Sequence, residues 1–176
     1  MDNLILPLPG FVLFPLTKGL FTKIDSEDFK KVNQWKWHTN TGGHKYYAAR
    51  GVRYGKRSEN KSTNIMMHRF LLGGNDSLVE VDHINGDSLD NRKSNLRICT
   101  HAQNSKNLKV RKDNTSGFKG VCFTKERWRG KRWCAYINSN NKRIGLGRFL
   151  TKEEAALKYN EAVEKYHGEF GRMNTL

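Results

Sequence analysis

The stretch from Val81 to Asn107, VDHINGDSLDNRKSNLRICTHAQNSKN, constrains the fold of this chain more than any other part of it. Two short apolar runs, one before Asp82 and one after Asn95, flank a loop rich in Asn, Asp and Gly. Short apolar runs bounded by turn residues are typical of strands. The segment after Thr100, a residue type that often caps helices, starts a helical pattern. The stretch therefore predicts a strand, a loop, a second strand and a helix.

The first of these strands ends in an adjacent carboxylate and imidazole, Asp82 and His83. Neighbouring side chains of a regular strand point to opposite faces, so both can serve one site only where the strand ends or bends. Gly86 and the turn residues around it indicate such a place. A phosphodiester-cleaving site needs a base for water and a cation for the phosphate and the leaving oxygen. His83 can be the base, and Asn104 can bring a second hard oxygen ligand beside Asp82.

The charge of the chain favours a polyanionic partner. Lys and Arg number 32 against 17 Asp and Glu, which gives a formal net charge of +15. Such an excess is typical of proteins that bind DNA, RNA or an anionic membrane surface. The apolar N-terminal segment is interrupted by prolines and too short to span a bilayer, so we expect no targeting or transmembrane segment. The three cysteines form no CxxC pair, which argues against a zinc knuckle and a disulfide framework.

The pattern of the chain predicts an α+β protein with two domains. Residues 1–109 read as a small α+β support followed by the central unit, whose core spans about residues 78–108. In the support, a helix is expected over SEDFKKVNQW with Ser26 as its cap, and a hairpin over KYYAARGVRY and TNIMM. A polar, basic linker precedes residues 110–176, which read as three strands and one amphipathic helix capped by Thr151 and Glu154.

The residues of the central unit resemble the HNH (ββα-metal) endonucleases. Eleven residues separate the Asp-His pair from NLR, and eight separate Asn95 from Asn104. The match is nearest to the phage homing type, intron-encoded or free-standing, in which Asn replaces the second His. The resemblance implies that Asp82 and Asn104 hold a divalent metal, Mg²⁺ or Mn²⁺, and that His83 is the general base. It also implies that Asn95 orients His83 through backbone contacts and holds the loop.

The C-terminal segment, about residues 114–175, resembles the Apetala2-type DNA-binding domain, with FKGV, RWCAYI and GLGRF before the helix. The resemblance implies that one sheet face enters the major groove while the helix packs behind it. The plant pattern has arginines where Cys122 and Asn138 stand here, and tryptophan where Gly145 stands. The plant sequence preference therefore does not carry over to this chain.

Strand alternation separates a helix-facing from an outward-facing set in this segment. The helix-facing set is Val121, Phe123, Trp133, Ala135, Ile137, Ile144 and Leu146. The residues expected to contact DNA here are Lys119, Arg129, Arg132, Tyr136, Asn138, Arg143 and Arg148. In the first domain they are Arg50, Arg53, Lys56, Arg57 and Arg69. For His68, a contact to the scissile phosphate and a packing role are equally open.

These observations predict a metal-dependent enzyme that hydrolyses double-stranded DNA. We expect a monomer that nicks one strand, with dimerisation as the route to a double-strand break. The expected setting is a phage or mobile element acting in the bacterial cytoplasm, with no membrane or small-molecule partner. Two alternatives remain open from the sequence: a non-catalytic DNA-binding regulator and an RNA-binding or RNA-processing protein.

Overall fold

The computed structural model describes residues 6–56, 61–73 and 79–176. The chain divides into two compact units, residues 1–101 and residues 102–176. Among the described residues, the first unit combines three small antiparallel sheets with short helices, and the second combines one antiparallel sheet with helices, so the predicted α+β class is confirmed. Among the described residues, no helix has the length and apolar character needed to cross a membrane.

The first unit begins with a three-stranded antiparallel sheet. Its strands β1 (Leu6–Leu8), β2 (Phe11–Pro15) and β3 (Phe21–Asp25) lie in the order β1-β2-β3. Alternate residues of β2 and β3 are buried, which is the period of a sheet with one face on a core.

The helix expected over SEDFKKVNQW is much shorter than predicted. A 3₁₀ turn occupies Ser26–Asp28, and helix α1 covers only Phe29–Val32. Ser26 is the first residue of that turn, and neither the turn nor α1 has a side-chain cap. The side chain of Asp25, the residue before the turn, accepts a hydrogen bond from the backbone N–H of Lys93 at 2.7 Å. The predicted helical Trp35 lies beyond the helix and is 45% exposed. Tertiary contacts thus override a local capping pattern.

A second antiparallel sheet follows, with strands β4 (His38–Gly42), β5 (Lys45–Tyr54) and β6 (Lys61–Met66) in that order. The hairpin predicted from KYYAARGVRY and TNIMM is confirmed, with Ala49 opposite Met66 and Tyr54 opposite Lys61. Helix α2 (Met67–Leu72) continues from β6 and ends at Gly73, whose φ of 74° is the left-handed conformation that glycine adopts at little cost.

The central unit has the predicted order of elements. Strand β7 (Glu80–His83) pairs antiparallel with β8 (Leu96–Cys99), and helix α3 (His101–Lys106) follows. One apolar core joins these strands to the two sheets before them. Its buried members come from every part of the first unit: Val12, Phe14, Leu16, Ile24, Val32, Trp37, Ala48, Met67, Leu71, Val81 and Leu96.

The second unit is a three-stranded antiparallel sheet packed on one helix, as predicted. Its strands β9 (Val121–Trp128), β10 (Lys131–Ser139) and β11 (Lys142–Phe149) lie in the order β11-β10-β9. Helix α4 (Lys152–His167) buries Ala155, Ala156, Tyr159, Ala162 and Val163.

The ends of α4 follow the sequence signals. Thr151 Oγ1 accepts a hydrogen bond from the backbone N–H of Glu154 at 3.1 Å. In return, Glu154 Oε2 accepts from the backbone N–H of Leu150 at 3.1 Å, one residue before the cap. The helix ends at Gly168.

One member of the predicted helix-facing set is not covered. Phe123 lies opposite Trp133 and shares its sheet face, but it is 49% exposed. Trp133, Ile144 and Leu146 are half-buried, whereas Val121, Ala135 and Ile137 are buried. Alternation therefore predicted the face correctly, while the extent of the covering helix decides burial along it.

Candidate active site

The register of β7 and β8 determines where the Asp-His pair lies. Asp82 is opposite Arg97, and His83, the last residue of β7, is opposite Leu96. Both side chains are buried, at 6% and 7% exposure. Cross-strand partners share a face, so Asp82 and His83 lie on the two faces of a two-stranded ribbon at its end. The backbone then turns at once, with the N–H of Gly86 donating to the His83 carbonyl at 2.8 Å.

Asp82 forms a buried ion pair with Arg97. Arg97 Nη2 and Nε donate to Asp82 Oδ2 at 2.7 and 3.1 Å. The two side chains are only 12% and 7% exposed, so water screens this pair little. A carboxylate has two oxygens with about four acceptor positions, so the ion pair is chemically compatible with metal ligation by Asp82.

His83 contacts a side chain that the sequence did not single out for it. Its Nε2 lies 3.2 Å from Asn91 Oδ1, and Asn91 is completely buried. Asn91 Nδ2 also donates to Thr22 Oγ1 at 2.7 Å. Sequence reasoning missed both residues because Thr22 is far from His83 in the chain. The only available signal was the unusually high amide content of the loop.

Burial also shapes the chemistry of the His83 ring. Burial lowers the pKa of His83, and the Asn91 hydrogen bond and the Asp82 carboxylate act in the opposite direction. The net effect is a pKa below the ordinary value of histidine. The ring is therefore neutral near pH 7, which is the state that a general base requires.

A second histidine packs against the first. The rings of His68 and His83 meet edge to face with centroids 5.0 Å apart, and the Tyr47 ring lies 6.0 Å from His68. Burial, with the neighbouring His83 and Arg69, lowers the pKa of His68 to about 3. His68 is 8% exposed, so the structure gives it a packing role beside the proposed base. The predicted contact to the scissile phosphate remains a prediction.

Asn95 holds the loop between β7 and β8. Its Oδ1 accepts from the backbone N–H of Asn85 at 2.9 Å, and its Nδ2 donates to the Asp90 carbonyl at 2.8 Å. Its own carbonyl accepts from the N–H of Ile84, the residue after His83, at 2.8 Å. These bonds agree with the expected loop-holding function, and the orientation of His83 by Asn95 stays a prediction.

Asp90 strengthens the same loop. Arg92 Nε and Nη2 donate to its two carboxylate oxygens at 2.7 Å each, and Asn85 Nδ2 donates at 3.0 Å. Although burial raises it, the hydrogen bonds and charge of Arg92 bring the pKa of Asp90 below its ordinary value. The loop is therefore a hydrogen-bonded scaffold built from the side chains that its sequence supplies in excess.

The proposed second ligand, Asn104, lies in the range of the second unit, and Asp82 in the first. The Asn104 side chain is half-buried. His101, three residues before Asn104, is exposed, and its Nδ1 lies 2.8 Å from Glu80 Oε1. Ligation by Asn104 remains a prediction.

The donor types of the proposed metal site fit a hard cation. One carboxylate and one amide oxygen are ligands that Mg²⁺ and Mn²⁺ accept, with other positions left for water and phosphate oxygens. Among the described residues, no group of three or more His, Cys, Asp or Glu side chains is arranged to hold a metal. The described residues therefore contain no cluster of the kind that holds zinc. A site with one carboxylate and one amide ligand has fewer than three such side chains, so this finding does not bear on it.

The basic residues predicted on the first hairpin have different surroundings. Arg53 and Lys56 are exposed, and Arg69 is half-buried. The guanidinium of Arg50 stacks on the exposed Trp35 ring, 4.0 Å from its centroid, so it is partly engaged within the unit. Arg57 lies outside the described residues.

The outer face of the second sheet carries the predicted contact residues in cross-strand rows. Arg148 lies opposite Cys134, Gly145 opposite Tyr136, and Arg143 opposite Asn138. A register shift after Ala135 lets Leu146 turn inward while these residues stay outside. The guanidinium of Arg143 lies 4.4 Å from the Tyr136 ring centroid. Arg129 is exposed and Arg132 half-buried.

Lys119 is more enclosed than a surface contact residue. Its side chain is half-buried, and its Nζ donates to the Lys106 carbonyl at 2.8 Å. Burial, with the nearby Arg172, lowers the pKa of Lys119 to about 8. The structure thus gives Lys119 a bond within its unit, and its contact with DNA remains a prediction.

The class of protein follows from the central unit together with its match to known families. Residues 73–106 match the HNH endonuclease family. They contain β7, the loop, β8 and all of α3, and with them Asp82, His83, Asn95 and Asn104. The chain therefore carries an HNH endonuclease domain. Such a domain implies DNA as the partner, and enzymes of this family generally use a divalent metal ion.

Two viral relatives extend the likeness beyond this domain. The chain is 48% identical over 95 residues to "Protein 3.8" of Escherichia phage T7, covering 53% of this chain and 74% of that protein. This chain belongs to the same family as that phage protein. It is also 29% identical over 171 residues to an uncharacterized HNH endonuclease of Acanthamoeba polyphaga mimivirus, covering 94% of this chain and 81% of the relative.

Proposed function

We propose that this protein is a homing-type, metal-dependent endonuclease that hydrolyses phosphodiester bonds in double-stranded DNA. The observation that carries the proposal is the buried Asp82-His83 pair at the end of β7, within the residues that match the HNH endonuclease family. The net charge of +15 supports a nucleic-acid substrate.

The proton from the attacking water goes to His83. Its lowered pKa keeps the ring neutral near pH 7, and the fixed loop beside it holds the imidazole in place. Asp82 and Asn104 would hold Mg²⁺ or Mn²⁺. When bound, such an ion neutralises charge on the phosphate and stabilises the leaving alkoxide.

The placement of Asp82 and His83 on two faces of a strand end suits an in-line displacement. In that geometry the nucleophile enters and the leaving oxygen departs on opposite sides of the phosphorus. His83 on one face serves the entering water, and Asp82 on the other serves the leaving side. The products are a 3′-hydroxyl and a 5′-phosphate.

The second unit supplies affinity and part of the sequence preference. The arginines on the outer sheet face, Arg143 and Arg148, are placed to contact phosphates or guanine edges in the manner of an Apetala2-like domain. The basic hairpin of the first unit adds contacts to the backbone. One catalytic site serves one strand, so the monomer nicks. The setting is a phage or mobile element in the bacterial cytoplasm.

Conversion of supercoiled plasmid to the nicked circle tests this function. We expect nicking in Mg²⁺ or Mn²⁺, none in EDTA, and nicks that DNA ligase reseals, because ligase requires a 3′-hydroxyl and a 5′-phosphate. A matched structured RNA at the same salt concentration should be bound more weakly and left intact. DNA binding without cleavage under all these conditions would instead support a non-catalytic regulator, and preferential RNA cleavage would support an RNA-processing protein.

A further inference from the structure

The hydrogen bond between His83 Nε2 and Asn91 indicates whether that ring nitrogen carries a proton. Thr22 Oγ1, Asn91 and His83 Nε2 form a continuous buried chain of hydrogen bonds that ends on the Leu89 carbonyl. Thr22 and Asn91 are both completely buried, so water does not offer them alternative partners. The direction of every bond in this chain follows from its fixed end.

The fixed end is the Leu89 carbonyl, which can only accept. Thr22 Oγ1 lies 2.7 Å from it, so the single hydroxyl proton points at Leu89. Thr22 Oγ1 must then act as the acceptor toward Asn91, whose Nδ2 lies 2.7 Å away. This places the amide group of Asn91 toward Thr22 and its carbonyl oxygen toward His83.

The Asn91 carbonyl oxygen can also only accept. His83 Nε2, at 3.2 Å, must therefore carry a proton. A neutral imidazole has one N–H, so Nδ1 is the unprotonated nitrogen. The opposite assignment would flip the Asn91 amide and take the hydroxyl proton away from Leu89. It would leave two buried oxygens, of Thr22 and Leu89, at 2.7 Å with no proton between them.

Backbone hydrogen bonds hold Thr22 and Asn91 in position for this chain of hydrogen bonds. The N–H of Lys23 donates to the Leu89 carbonyl and the N–H of Asn91 donates to the Lys23 carbonyl, each at 2.8 Å. The loop thus runs beside β3 with Lys23 bridged to Asp90. Because Thr22 sits on β3, the first sheet determines the position of Asn91.

We propose that Asn91, held by Thr22, is a positioning residue that keeps the His83 proton on Nε2 and presents Nδ1 as the nitrogen that takes the proton from water. The role in catalysis rests on the proposed function, whereas the proton assignment rests only on these contacts. The first sheet then contributes Thr22 to the positioning of the proposed base.

Nuclear magnetic resonance of the full chain labelled with ¹⁵N-histidine tests the assignment directly, in EDTA and without DNA. Long-range ¹H–¹⁵N correlations distinguish a ring protonated on Nε2, on Nδ1 or on both. We expect the His83 ring of the parent protein to show the Nε2-protonated pattern. The Nδ1-protonated pattern in the parent would overturn the proposal, whether or not any variant folds.

Variants of Thr22 test the chain of hydrogen bonds from Thr22 through Asn91 to His83, which we call the relay. Thr22→Val removes the hydroxyl while keeping the shape, so we expect a mixture of tautomers and a roughly tenfold lower rate of cleavage at saturating DNA, with unchanged DNA affinity. Thr22→Ser keeps the hydroxyl, so we expect a single tautomer and the parental rate of cleavage. Thr39→Val is the matched control, because the buried Thr39 also donates to a backbone carbonyl, that of Thr17 at 2.7 Å, away from His83.

The outcomes separate this proposal from the proposed function. An Nε2-protonated ring that becomes mixed in Thr22→Val, in a protein that cuts no DNA, supports the relay and refutes the nuclease. A protein that cuts DNA while Thr22→Val keeps a single tautomer and the full rate refutes the relay alone. An equal loss of rate in Thr39→Val and Thr22→Val, with the His83 tautomer unchanged, also refutes it.

Discussion

His68 and His83 meet edge to face with their ring centroids 5.0 Å apart, and both are buried. The first cannot take up a proton without placing a charge beside the second in a site with little water. This contact connects the fold of the first unit to the protonation state of the proposed general base.

His68 should make the first unit sensitive to acid. The unfolded chain protonates His68 near its ordinary pKa of about 6.5, whereas the folded protein does so only near a pKa of about 3. The contribution of the neutral His68 ring to the free energy of unfolding is therefore fully present above pH 6.5. It is lost as the pH falls, because the unfolded state binds the proton first. The cost is up to about 1.4 kcal/mol per pH unit.

Calorimetric unfolding between pH 7 and pH 4 measures this effect in the parent and in His68→Phe. We expect the variant to lose distinctly less stability over that range. His44→Phe, which changes a histidine with an exposed side chain, is the control and should behave like the parent. Identical pH dependence of His68→Phe and the parent would contradict the assigned burial of the neutral ring.

Arg97 should matter far more than an arginine in an exposed ion pair. Arg97→Ala leaves the Asp82 carboxylate buried without the guanidinium, which we expect to cost about 3 kcal/mol. Arg111→Ala is the control, since Arg111 and Asp113 are 84% and 69% exposed and solvent screens their pair, so its loss should change stability very little. Denaturant unfolding measures both. Equal small losses would show that the Asp82–Arg97 pair is not a buried structural contact.

Gly120 should not tolerate a side chain. A Cβ there would lie 2.1 Å from the Tyr159 ring and 2.4 Å from the Tyr136 carbonyl, at a φ of +67°. We expect Gly120→Ala to destabilise the second unit by more than about 3 kcal/mol. Gly117→Ala has a similar φ of +79° but no atom within 4 Å, so it should cost only about 1 kcal/mol of backbone strain. Comparable thermal unfolding of the two variants would contradict this packing.

The outer sheet face of the second unit should contribute to DNA affinity through its charges. Arg143→Ala and Arg148→Ala should each weaken binding roughly fivefold and reduce the slope of affinity against salt concentration by about one ion. Lys158→Ala removes an exposed charge on α4, whose Nζ pairs with Glu161, and serves as the control. Fluorescence anisotropy over a range of salt concentrations measures these effects. Losses as large in the control would mean that only net charge matters.

The sequence predicted elements whose own residues carry the signal. The bounds of β5 match its alternating run, and α4 has the cap, the apolar spacing and the terminal glycine that define a helix. Strand β4 was missed because HTNTG has no apolar alternation, and it is a strand only through its pairing with β5. Helix α1 was predicted too long because the local pattern does not record that the carbonyl of Val32, its last residue, accepts a hydrogen bond from Trp37 Nε1.

The same distinction, between a signal in local sequence and one that arises only on folding, applies to the residues of the site. Asp82, His83 and Asn95 stand out because their order and spacing lie within one short stretch. The partners of His83 and Asp82 do not stand out in the sequence. Thr22, Asn91 and Arg97 contact the site only through strand pairing and tertiary contacts. Asn91 and Arg97 stand in that same stretch, yet only the folded loop and register show which side chain each one holds.

The most direct measurement of the central claim is the rate of plasmid nicking by His83→Ala with enzyme in excess and Mg²⁺ present. The account predicts that the variant binds DNA as the parent does but cuts at least about 100-fold more slowly, which is the usual contribution of a general base. His44→Ala should cut at the parental rate. Parental cutting by His83→Ala would show that His83 is not the base and would contradict the account.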